Sequence, residues 1–172
     1  MADILDYTQN TSVASGDAIY LVDDAGGAPA DNYALVSDFA DGIRDEMDRE
    51  VELILIDSAT ALTTGDGFSG VNFFIGEHLD GFNLIDAQAC VNTASTSGTP
   101  TFQIHNVTDS ADMLSTAITI DASDKTSYTA SAASAVDDTK DDVAKGDELR
   151  FDCDVKGSST AGAVIIMRFA KP

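Results

Sequence analysis

Polar and apolar residues alternate along most of the chain after about residue 50, whereas the one run with three-and-four spacing falls before it. The cleanest alternation is ELRFDCDVKG (148–157). It places Leu149, Phe151, Cys153 and Val155 on an inward face and Arg150, Asp152, Asp154 and Lys156 on an outward one. Further strands are predicted at VELILID (51–57), VNFFI (71–75), TFQIHNV (101–107) and LSTAITID (114–121). FNLIDAQACV (82–91) slips phase between Leu84 and Ile85, which predicts a β-bulge. AGAVIIMRFA (161–170) reads as a closing strand buried on both faces. Residues 122–147 hold few large apolar groups and read as a surface excursion with one weak edge strand. Short strands between turn-rich segments predict a mainly β fold, an antiparallel sandwich of jelly-roll type.

An N-terminal hairpin and helix precede this domain in the same reading. AIYLVDD (18–24) and YALVSDF (33–39) flank GGAPADN, whose glycines and Pro29 supply turn chemistry. Ser37 is placed to cap a helix, with Asp38 and Asp41 in its first turn where the helix dipole favours anions. Val36, Phe39, Ile43, Met47 and Val51 then form a single apolar stripe on a charged helix, a candidate surface for self-association. Gly42 weakens that helix by about 1 kcal/mol relative to alanine. The expected division is an arm over residues 1–50 and a β-sandwich over 51–172.

Charge narrows the functional classes. Nine basic residues against thirty acidic ones give a net charge of −21. Nucleic acid and anionic membranes both require a basic surface, so neither is expected as a partner. The N-terminal run MADILDYTQN lacks the basic and apolar regions of a signal peptide, and Ala163 to Met167 is too short to span a bilayer. Synthesis in a cytoplasm is expected. Cys90 and Cys153 are expected as free thiols, bridged only if their strands face one another.

No catalytic constellation stands out, and no cofactor or metal is expected. His105 falls out of phase with Phe102 and Ile104, on a solvent face, and His78 lies in a turn. Neither has a nucleophile elbow nearby. The acidic run Asp137, Asp138, Asp141 and Asp142 offers hard oxygen ligands but lacks calcium-loop spacing, and Lys140 interrupts it. Asp152 and Asp154 share a strand face in this reading, yet alternate with Arg150 and Lys156, so cross-strand charge pairing accounts for them. TGDGFSG lacks the lysine of a phosphate-binding loop. A non-enzymatic protein is expected.

Several segments, in one order, resemble a β-domain of tailed-bacteriophage structural proteins. They are the G-x-N-L strand at Gly81–Leu84, the TSGT loop at Thr96–Thr99, the IHNVTD…DMLST segment at Ile104–Thr116 and DDVAKGDELRFDCD at Asp141–Asp154. The likeness covers roughly residues 70–172 and departs at Cys153, where the pattern carries an aliphatic residue. DAIYLVDDAGGAPADNYALVSDFADGI is similar to the hairpin-plus-helix anchor at the start of some phage head-fibre and tail-fibre proteins. The resemblance implies a homotrimeric capsid decoration or head-fibre protein on the virion surface, bound to the major capsid protein or a neighbouring virion protein. Attachment would run through the N-terminal segment, with Tyr7, Ile19, Tyr20, Leu21 and Tyr33 as the contact residues. The alternative it leaves is a tail-fibre or adhesin module that binds a host cell-surface glycan.

Overall fold

The computed structural model describes residues 48–172, together with the backbone of two short strands nearer the N-terminus. These two are β1 (Ala18–Tyr20) and β2 (Tyr33–Leu35), paired antiparallel with Ala18 opposite Leu35 and Tyr20 opposite Tyr33. The chain divides into two compact units, Met1–Met47 and Asp48–Pro172.

The second unit is mainly antiparallel β, with one sheet curled as half a barrel. Its longer strands are β3 (Arg49–Ala61), β5 (Phe82–Cys90), β6 (Thr101–Asn106), β12 (Glu148–Val155) and β13 (Ala161–Ala170). Shorter ones are β4 (Asn72–Phe74), β7 (Ala111–Asp112), β8 (Leu114–Thr116), β9 (Ile118–Thr119), β10 (Ala135–Val136) and β11 (Asp142–Val143). One sheet has the order β11-β5-β13-β3. The other runs β4-β12-β6-β7, with β9 also on β6, and β8 pairs separately with β10. The pairing is nested. β3 lies on β13, β4 on β12, β5 on β11, and β6 on β7 and β9, while β13·β5 and β12·β6 join the nested pairs into sheets.

Both sheets turn apolar side chains into one core. Leu84, Ala87, Ala89, Ile165, Met167 and Phe169 come from the first sheet, and Phe102, Ile104, Leu149 and Phe151 from the second. Period-2 alternation explains this division: β6 and, from Ala163 onward, β13 bury every second residue, and β5 does so on either side of a one-residue slip. The phase slip in β5 is a bulge: consecutive Arg168 and Phe169 face Asp86 and Leu84, leaving Ile85 as the extra residue. Leu84 is fully buried while Ile85 is exposed.

Four expectations are corrected. β12 carries a second bulge at Asp154, between Cys153 opposite Phe102 and Val155 opposite Thr101, so the alternation reverses and Val155 is 44% exposed rather than inward. β13 is buried on one face only, because Val164 and Ile166 are half-buried and Arg168 is exposed. The single strand expected over 114–121 breaks at Ala117, where the chain leaves β10 and joins β6. The excursion over 122–147 holds two short strands, β10 and β11, where one was expected.

Candidate functional site

The five-stranded sheet carries a polar row on its outward face. Asn72 on β4 lies opposite Arg150 on β12, Arg150 opposite His105 on β6, and His105 opposite Asp112 on β7. The side chains along the row are engaged with neighbours. His105 Nδ1 lies 2.6 Å from Asp112 Oδ1, and the Asn72 amide donates to Glu148. Arg150 donates from Nε and Nη2 to the two oxygens of Asp152, at 2.7 and 2.8 Å, and reaches Asp66 at 3.3 Å. This forked, charge-assisted geometry holds the guanidinium more firmly protonated than usual, chiefly through the Asp152 hydrogen bonds.

Asp152 was expected on an open face, but it is 6% exposed. The loop before β4 covers it: Gly65 bonds the Cys153 backbone in both directions, and the Gly67 N–H donates to Asp152 Oδ1 at 2.7 Å. Burial alone pushes the Asp152 carboxyl up. The hydrogen bonds from Arg150 and Gly67, with the charges of Arg150 and His105, outweigh it and leave the carboxyl below its usual value. The row therefore forms a network in which each polar side chain is engaged by a neighbour. Phe74, 61% exposed and opposite Glu148, is an aromatic face beside it.

The outward face of the four-stranded sheet is built differently. Its cross-strand rows are Asp86–Arg168–Glu50, then Gln88–Ile166–Glu52, then Cys90–Val164–Ile54. Polarity falls along the strands until the last row is apolar, with Ile54 67% exposed. Tyr128, in a 3-10 turn over Ser127–Thr129, is exposed; its hydroxyl pKa is raised by partial burial and by the Asp86 and Glu50 charges. Arg168 reaches Asp48 at 3.7 Å, a loose contact for an exposed pair.

The remaining candidates are dispersed. Cys90 and Cys153 are both free, on different sheets, and burial pushes the Cys153 thiol up to about 11. In the acidic run, Asp137 accepts from the Thr139 N–H and hydroxyl and pairs with Lys140, while Asp141 accepts from Asn83. Among the described residues no three His, Cys, Asp or Glu side chains gather as a metal site, and no helix is long and apolar enough to cross a membrane.

Of the expected stripe, Val36, Phe39, Ile43 and Met47 lie outside the described residues. Val51 lies in β3 opposite Met167, so a helical stripe does not extend to it. Of the expected attachment residues, Ile19, Tyr20 and Tyr33 fall within β1 and β2, and Tyr7 and Leu21 lie outside the described residues. The Arg150–Asp152 fork went unread in the sequence. Its visible signal is the R-x-D spacing on one strand face, about 7 Å by strand rise. No protein-family model, no curated protein and no solved structure matches the chain.

Proposed function

We propose that the chain is a non-enzymatic structural protein of a tailed-phage virion, a capsid decoration or head-fibre protein whose β unit is a jelly-roll sandwich. The nested pairing supports the jelly roll: with β3, β4, β5, β6, β7/β9, β11, β12 and β13 taken as eight strands, a rolled-up long hairpin has this order of partners. The observation that carries the functional reading is the division between Met47 and Asp48. A β unit with its own core, preceded by a separate small unit, suits a protein that grips at one end and displays the other. In this reading residues 1–50 grip the major capsid protein or a neighbouring virion protein, the assembly is a homotrimer, and the β unit lies on the virion surface. The segments resembling phage β-domains lie within the displayed unit.

The test is co-sedimentation with phage heads, comparing the full chain with a 48–172 fragment, alongside mass by light scattering. Binding by the full chain alone, at trimer mass, is expected. Equal binding by the fragment would overturn attachment through residues 1–50. No binding by either would overturn the virion reading, and a monomer mass the trimer.

The glycan-binding alternative draws support from Phe74 beside the Asn72–Arg150–His105–Asp112 row, an aromatic face next to hydrogen-bonding groups. A glycan array separates the two: a hit lost in Phe74→Ala supports the adhesin reading, and a blank array removes it.

A further inference from the structure

Three of the four edges of the two larger sheets are short. β11 spans two residues, β4 three, and β7 and β9 two each. β3 is the exception, thirteen residues long with β13 as its only described ladder partner. From Arg49 to Ile54 it pairs residue for residue with Phe169 to Val164. Beyond Ile54 a bulge at Leu55 breaks the register, and Asp57 accepts from the Ala59 and Thr60 N–H groups. Among the described residues, Glu50 to Ile54 is therefore an edge whose outward backbone N–H and C=O groups can take another strand. Glu50, Glu52 and Ile54 are exposed along it. Val51 and Leu53 pack against the core yet stay half-buried.

A second copy fits this edge poorly. Antiparallel self-pairing that uses five residues of the regular stretch centres on Val51 or on Glu52. The first places Glu50 opposite Glu52 twice, and the second places Glu52 opposite itself. The net charge of −21 on each copy adds to the repulsion. We infer that β3 accepts an extended strand from a basic protein partner. Lysine or arginine at alternate positions meets Glu50 and Glu52, and apolar residues on the other face cover Val51 and Leu53. Main-chain hydrogen bonds supply the affinity and the alternating side chains the specificity. This goes beyond the virion reading and does not rest on it.

The probe is a peptide of alternating lysine and valine, with a glutamate–valine peptide as control, added to the full chain. Affinity and backbone amide hydrogen exchange are the readouts. The lysine peptide is expected to bind and to slow exchange within residues 50–54, while the glutamate peptide does not. Glu50→Gln with Glu52→Gln should weaken binding about ten-fold. Asp137→Asn with Asp138→Asn, the same change in net charge, should leave it unaltered. Equal weakening by both pairs, protection confined to other segments, or absence of binding would overturn the inference. So would concentration-dependent protection of β3 without peptide, which would mean that a second copy covers the edge.

Discussion

Arg150 and Arg168 occupy equivalent places on opposite sheets, yet their surroundings differ. Each sits on an interior strand, outward-facing and within reach of carboxylates. Arg150 meets a nearly buried Asp152 through two short hydrogen bonds and is overlain by the Gly65–Gly67 loop. Arg168 lies between Asp86 and Glu50 on an exposed face and touches Asp48 at 3.7 Å. Charge pairing is common to both; exclusion of water is not. A buried carboxylate deprived of its partner keeps its desolvation cost, whereas an exposed one is simply rehydrated.

The largest effect should come from Arg150→Ala, which leaves Asp152 buried with the Gly67 N–H as its remaining donor. A loss of about 3 kcal/mol in urea unfolding is expected. A loss below about 1 kcal/mol would show that water reaches Asp152 and would erase the contrast. Asp152→Asn should cost about 1–2 kcal/mol at neutral pH and flatten the acid limb of stability. The Asp152 carboxyl is lowered from 3.8 in the folded chain, so its contribution is full above the unfolded value and is lost as pH falls through the lower folded one. Unfolding midpoints measured from neutral pH down past that value should converge for wild type and variant in acid. The smallest effect belongs to Arg168→Ala, within about 0.5 kcal/mol and diminishing with added salt. A cost near that of Arg150→Ala would mean that the outer face of the four-stranded sheet is itself covered.

That contrast marks what the sequence could and could not convey. Alternation located the strands, and the slip at Leu84–Ile85 revealed a bulge because an apolar residue there breaks phase visibly. The bulge at Asp154 left no such trace: DCDVK alternates cleanly, and the extra residue is imposed by the register of β6 against β12. The burial of Asp152 depends on a loop far away in sequence, so no local pattern could report it. Continuous apolarity in AVIIM suggested burial on both sides, but hydrophobicity alone does not say what lies above a sheet. The helical spacing that ended on Val51 crossed into β3, where the pairing with β13 decides the conformation. Among candidate site residues, His105 was rightly placed out of phase with the core, while its partner Asp112 is brought beside it by a tight reversal of the chain.

The central position of β13 has a bearing on how the molecule is made. β13 is the last strand of the unit in chain order, yet it stands between β3 and β5 and bonds both. On a translating ribosome β3 emerges first and waits without its ladder partner until almost all of the unit has been synthesised. During that interval the apolar faces of β3 and β5 have no middle strand to close them. A nascent chain stalled before Ala161 thus lacks the strand that joins β3 to β5, and the emergence of β13 completes the four-stranded sheet.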